Sequence, residues 1–189
     1  MILEITEHGH PALRTKGRRV EKIDAHIEEL AADMIESMRD AEGIGLAAQQ
    51  VGLPLQFFVL EVPQMKDRPS AMRIQGEPAD FEALMPMVLI DPEVETFGEV
   101  VAESEGCLSF PDLRGDVARP LSVRVKARAL DGSLIEFEAD GLLARAVQHE
   151  FDHLQGILFI DRLEPEDFAD LPEDVRRLAR PLARPTATA

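Results

Sequence analysis

An α+β fold is predicted for this chain of 189 residues, with antiparallel β-sheets around a central HExxH helix and a long helix near the N-terminus. Three observations carry the expectation. Residues 27–38 keep helical apolar spacing, residues 87–139 are dominated by strand patterns, and the run QHEFDHL sets His149 and His153 four residues apart with Glu150 between them. Strands in succession followed by a helix, without a regular strand–helix alternation, argue against a parallel sheet.

Taken in order, Ile27, Leu30, Ala31, Met34, Ile35 and Met38 line one face of a helix that Asp24 is placed to cap and Gly43 to stop. The glycine-containing stretch GIGLAAQQVG follows, then LQFFVLEV from Leu55, whose aromatic and β-branched content predicts a strand. Residues 63–86 hold four prolines, Gly76 and mixed charge, and are expected to form a long surface loop with one short helix. Strands are predicted for Met87 to Ile90 and Glu93 to Ser104, and SVRVKARAL alternates through Val123, Val125, Ala127 and Ala129. Asp131 and Gly132 suit a tight turn into LIEFEA. The HExxH helix is expected to run about four turns from an Asp140 cap to Gly156. Beyond Asp161 the chain turns acidic, then gathers Arg176, Arg177, Arg180 and Arg184 among prolines, so one catalytic domain is expected over 1–165 and a partly flexible tail over 166–189.

Composition excludes several classes. A chain of this length can bury a core without disulfides, and a single Cys rules out an internal bridge and suits a reducing cytosol. No apolar run approaches the ~18 residues of a membrane span and MILEITEHGHP lacks the pattern of a leader, so a cytoplasmic protein without a membrane partner is expected. A formal net charge of −16 argues against general attraction to phosphate backbones, and the absence of Trp and Tyr removes most stacking platforms. No sequence-specific nucleic acid is expected as a partner.

The chemistry concentrates in QHEFDHL. Side chains at i and i+4 project from one helix face, so His149 and His153 can grip one metal ion with Glu150 beside it. Leu142 and Ala146 continue the His face, while Leu143, Val147, Glu150 and Leu154 form the neighbouring stripe, so the helix turns this side inward. A catalytic site of this kind needs a third protein ligand. HEFDHLQG begins the metzincin pattern, but the third His position is Phe159, which binds no metal. Glu164, Glu166 and Glu173 are downstream carboxylates, although Pro165 and Pro172 interrupt the helix that should carry them. Cys107 in EGCLS, near a strand end, completes a soft Cys plus two His set suited to Zn or Fe(II), while a lone Cys by itself more often packs as a small hydrophobe.

Three blocks now line up: GIGLAAQQ at Gly43 to Gln50, EGCLS at Glu105 to Ser109, and QHEFDHL at Gln148 to Leu154. Together and in this order they resemble the signature motifs of peptide deformylases, and the likeness covers residues 1–163. The resemblance implies an α+β metalloenzyme that hydrolyses the formyl group, as formate, from the N-terminal Met of new polypeptides. It implies Cys107, His149 and His153 as metal ligands, with Glu150 moving the proton and the Gln50 amide and the Leu108 N–H meeting charge on the formyl oxygen. Ile44, Gly45, Gly106, Leu142 and Ala146 would contact substrate, and Glu105 and Arg119 would pair to hold EGCLS, with Arg114 nearby on the substrate side. One divalent ion is implied, Fe(II) in vivo, with Zn, Ni and Co also accepted by two imidazoles and a thiolate. The implied partners are an N-formylmethionyl peptide and, transiently, the ribosome.

Three departures stand out. Gln49 occupies a position where most relatives carry Pro, residues 63–86 are longer than in compact bacterial members, and the C-terminal segment lacks a long basic helix. Two other readings stay open: a metallopeptidase with a downstream carboxylate ligand, and a deformylase-like protein that only binds N-terminal peptides.

Overall fold

The structure, a computed structural model, describes residues 1–187. Helix α1 spans Ala25–Asp40 and begins where the Asp24 carboxylate accepts a hydrogen bond from the Ile27 N–H at 3.3 Å. Its buried face is Ile27, Leu30, Ala31, Met34 and Met38 of the stripe expected from spacing, joined by Ser37, while Ile35 is only partly buried. The helix ends ahead of Gly43: Ala41 caps it and Glu42 takes a left-handed φ of 54°, which turns the chain toward the glycines.

Seven strands follow: β1 Gly45–Ala47, β2 Phe57–Leu60, β3 Ser70–Ile74, β4 Glu77–Ala79, β5 Met87–Cys107, β6 Phe110–Arg128 and β7 Leu134–Gly141. They form one antiparallel sheet in the order β1-β2-β5-β6-β7-β3-β4. The two strands expected over 87–104 are one, because register shifts at Ile90/Glu93 and Phe97/Val100 bend β5 without ending it. Strand β6 also starts twelve residues earlier than Ser122. Asp112, Arg114 and Asp116 disguise its first half.

The expectation of an irregular 63–86 segment needs correction. Gln75 and Gly76, with φ of 52° and 83°, make a two-residue turn that joins β3 and β4 into a hairpin. Ser70 and Met72 are buried while Ala71 is exposed, and β3 pairs with β7 from Ser70↔Gly141 to Arg73↔Glu138. Pro78 is tolerated because β4 is the sheet's edge. The short helix of this segment is a single 3-10 turn at Glu82–Leu84.

Helix α2, Leu142–Leu154, carries the HExxH run, and every residue of it except Phe151 is buried. Asp140 does not cap it. That carboxylate accepts from Ser122 Oγ at 2.6 Å and pairs with Arg73 at 2.8 Å across the sheet. The cap position belongs to Gly141 at φ 71°, and the first helical N–H groups are met from β3: Leu142 donates to Pro69 O at 3.4 Å and Leu143 to Ser70 Oγ at 2.9 Å. The helix stops as expected at Gly156, whose φ is 73°.

Strand β2 lies between the two helices and is buried on both faces. Phe57 and Val59 pack with the apolar face of α1, while Phe58 and Leu60 join Leu89, Val123, Val125, Leu143 and Val147 around α2. Burying each of these large apolar side chains contributes about 2 kcal/mol, so α2 is held by its surroundings far more than by helix propensity. A third cluster gathers Leu13, Phe110, Val117 and Phe159 with Leu171 and Val175, residues of the segment set apart as a tail. Helices α3 (Pro165–Asp170) and α4 (Glu173–Arg176) bring them there, and Arg14 ties this end down by donating to Asp161 Oδ1 at 2.9 Å and to Leu178 O at 2.6 Å. Among the described residues no helix is long and apolar enough to cross a membrane.

Candidate active site

Three elements meet at one point. Helix α2 supplies His149, Glu150 and His153, the last residue of β5, before its two-residue turn into β6, is Cys107, and the 3-10 turn Ala48–Val51 after β1 supplies Gln50. The donor atoms of Cys107, His149 and His153 all lie within 4.8 Å of one another, with Cys107 Sγ 3.3 Å from His153 Nε2. Glu164, Glu166 and Glu173 belong to no such group among the described residues; Glu164 faces Arg184 and Glu173 faces Arg177. Phe159, at the position of a metzincin's third His, stacks on His149 with ring centroids 6.3 Å apart.

The donor set suits a cation. Buried Glu150 Oε2 and His153 Nδ1 have no hydrogen-bond partner among the described residues, and a thiol with two imidazoles is a ligand set for Zn or Fe(II). His149 is oriented from behind: Glu105 Oε2 lies 2.9 Å from Nδ1, which leaves Nε2 for the cation. Gln50 is fixed at both ends of its amide, accepting from the Ala47 N–H at 2.9 Å and extending Nε2 to Ser109 Oγ at 3.2 Å and Cys107 Sγ at 3.6 Å.

A buried ionic network stands behind these groups. Arg119 grips Glu105 at 2.6 and 3.0 Å and reaches Asp152 at 2.8 Å, Arg145 donates to Glu105 at 2.9 Å, and Arg162 holds Asp152 at 2.7 and 2.8 Å. Burial penalises the Glu105 charge, yet the Arg119 and His149 contacts outweigh it and keep the carboxyl well below its usual range. Burial likewise opposes charge on His149, but the bonds to Cys107 and Glu105 raise it well above an ordinary imidazole, while His153 is lowered by burial and by its charged neighbour. Among the described residues Glu150 has no cationic partner in contact, and burial pushes it up to about 7.

A cleft of about 590 Å³ opens over the site. Gln50, Cys107, Leu108, His149 and Glu150 line its inner end, and Ile44, Gly45, Gly106, Leu142 and Ala146 line it as well, so the residues expected to touch substrate share one cavity with those expected to do chemistry. Glu105 is 6% and Arg119 2% exposed and the two are paired, Glu105 at the cleft wall and Arg119 beyond it. Arg114 is also on its wall, its Nη1 3.1 Å from where a Cβ on Gly106 would stand. Gln49 is fully buried, and its amide N and O have no hydrogen-bond partner among the described residues.

Sequence reasoning missed Arg68, Arg145, Asp152, Arg162 and Ser109. Arg145 had a signal: it stands four residues before His149 on a helix whose other residues are mostly apolar, where a cation is out of place unless paired. The others had none: the partners of Arg68 and Ser109 are far away in the chain, and Asp152 and Arg162, ten residues apart, match no regular helix or strand spacing.

Comparison with known proteins agrees with the geometry. Residues 2–169 match the family model for polypeptide deformylase. A peptide deformylase of Methylacidiphilum infernorum is 44% identical over 180 residues, 95% of this chain and 94% of the relative. Among solved structures, a Synechococcus elongatus peptide deformylase in complex with actinonin superposes with a TM-score of 0.81 at 34% identity, covering 95% of this chain and 91% of that one. A Met-Ala-Ser-bound peptide deformylase of Acinetobacter baumannii gives 0.74 at 30% identity, covering 86% and 99%.

Proposed function

The chain belongs to the polypeptide deformylase family, and from that premise we propose that Cys107, His149 and His153 hold the metal while Glu150 carries the proton. As a member of the family the protein is a metal-dependent hydrolase that removes the N-formyl group from nascent polypeptides. The observation that carries the assignment of residues is the gathering of the Cys107, His149 and His153 donor atoms within 4.8 Å of one another, on the cleft that Glu150 also lines.

A divalent cation supplies, when bound, a Lewis acid for the formyl oxygen and a water acidified toward neutral pH. We assign Fe(II) in vivo, in a reducing cytoplasm that keeps the lone thiol free. Glu150 takes the proton of the attacking water and returns it to the departing amine as the formyl C–N bond breaks, and a carboxyl poised near neutrality suits both directions. The Gln50 amide, held by Ala47 and Ser109, and the Leu108 N–H in the hairpin turn are the preorganised donors for the charge that develops on the formyl oxygen.

The substrate backbone has a docking edge. The Glu61 N–H donates to Ile44 O at 2.9 Å, so in the antiparallel alternation the next residue, Gly45, turns its own N–H and C=O away from β2 toward the cleft. β1 is the first strand of the sheet, and an extended peptide adds to it as a further strand with its first side chain against Ile44, Leu142 and Ala146. The Acinetobacter relative, bound to Met-Ala-Ser, supports a Met-first peptide as the occupant.

Formate release from formyl-Met-Ala-Ser by protein purified without oxygen, with metal analysis of the same sample, tests the assignment. One equivalent of metal and steady formate production are expected. Cys107→Ala should lose the metal; retention of metal and turnover in that variant favours a downstream carboxylate ligand instead.

A further inference from the structure

The 63–86 segment brings one charged side chain into the cleft, Arg68, and its position bears on which first residue the cleft accepts. Resting on the reading of the site as a formyl-peptide cleft, we propose that Arg68 is a specificity-determining residue that closes the far end of the side-chain slot and sets its length.

The slot runs along one face of α2. From His149 at the reacting end, the residues that line it step back through Ala146 to Leu142, seven positions and so about 10 Å along the helix. The chain that begins just after Arg68 is fixed against that end: Pro69 O accepts from the Leu142 N–H at 3.4 Å and Ser70 Oγ from the Leu143 N–H at 2.9 Å. Arg68 therefore stands where the slot stops. A methionyl side chain reaches roughly 8 Å from the formyl carbon when extended over six bonds, which fits within that length. A chain three methylenes longer does not.

Arg68 is tied to β5 by an ion pair. Its Nη2 and Nε donate to Glu103 Oε2 at 2.8 and 3.2 Å, and the same oxygen lies 3.3 Å from Arg145 Nε, whose guanidinium is bonded to Glu105, Val101 O and Val117 O. The Arg68 side chain is 27% exposed, so the stop lies at the rim, where an arginine stem can cover apolar surface while its charged fork pairs with Glu103. A longer apolar tail has to break the Arg68–Glu103 pair to pass. That cost is specific to length and spares the reacting atoms.

The test compares kcat/KM for formyl-Met-Ala-Ser with that for the same peptide carrying, as first residue, an unbranched chain three methylenes longer. In Arg68→Ala the ratio of long to methionyl substrate is expected to rise about tenfold or more over wild type, because each methylene that finds apolar cover is worth roughly fourfold. Arg68→Lys and Glu103→Gln, which keep the stem but loosen the fork, should shift the ratio more than threefold in the same direction, and they decide the matter if Arg68→Ala does not fold. A purely structural role for Arg68 would lower both substrates alike. A ratio within threefold of wild type in these variants overturns the inference while formyl-Met turnover by wild type leaves the assigned function standing; no formate from any substrate overturns both.

Discussion

A Cβ placed on Gly45 would meet Glu150 Oε1 at 2.4 Å and Glu150 Cδ at 2.8 Å. The edge strand and the Glu150 side chain, proposed to carry the proton, thus pack so closely that the absence of a side chain at 45 is what allows the carboxylate to sit where it does. Gly45→Ala is expected to push Glu150 aside by about 1 Å and to lower kcat/KM by roughly 100-fold, since displacement on that scale spoils reacting geometry. Metal content should be unchanged. Full activity in this variant would show that Glu150 tolerates displacement.

Glu150→Gln is expected to keep the metal and lose turnover by about 10²- to 10⁴-fold, the usual worth of a positioned acid–base group. It also predicts a difference in stability with pH in protein stripped of metal. Burial raises Glu150 from 4.5 to about 7, so the fold favours its neutral form. The stability this contributes is complete below about pH 4.5 and is lost as pH rises through about 7, an effect of about 3 kcal/mol. Glu105, whose carboxyl is lowered, acts in the opposite sense and loses its contribution on acidification. Subtracting wild type from Glu150→Gln in urea unfolding at pH 4.5 and pH 8 isolates the first effect, with the Gln variant gaining at high pH; parallel profiles would refute it.

Arg119 neutralises two buried carboxylates at once. Arg119→Ala leaves Glu105 to Arg145 and Asp152 to Arg162, so the cost is expected at the low end for breaking a buried pair, about 3 kcal/mol. Because Glu105 orients His149 through a 2.9 Å contact, metal affinity should also fall by about 10- to 100-fold. Chelator competition measures the second effect separately from thermal unfolding.

Gly141 governs the start of α2. Its φ is 71°, and a Cβ there would stand 1.9 Å from Pro69 O. Gly141→Ala is expected to destabilise by at least about 3 kcal/mol, combining backbone strain with a clash against backbone that cannot move freely. Ser70→Ala, which removes only the hydroxyl cap on Leu143, should cost about 1 kcal/mol. Denaturant midpoints compare the two, and equal losses would contradict this account of the helix start.

Much of the molecule was legible in the chain because its signals are local. The α1 stripe, the alternation through Val123 and Val125, and the His149–Glu150–His153 spacing are periodicities that a few neighbouring residues carry. The β3–β4 hairpin was not legible, since Ser70–Ile74 becomes a strand by docking on β7 and its turn residues, Gln75 and Gly76, sit among prolines that read as loop. Gln49 is similar: its burial without a hydrogen-bond partner among the described residues depends on what packs over the 3-10 turn.

By itself the sequence determined the α+β class, the inward-facing HExxH helix and, through three short blocks, the family. Those are properties of spacing along one segment or of residue identity. Only the tertiary structure decided what surrounds the blocks: Arg119 and Arg145 share Glu105 behind His149, Asp152 joins Arg119 to Arg162, and Arg68 reaches the cleft wall. Contacts between residues so far apart in the chain follow from strand register and from where one element caps another, and no local pattern encodes either.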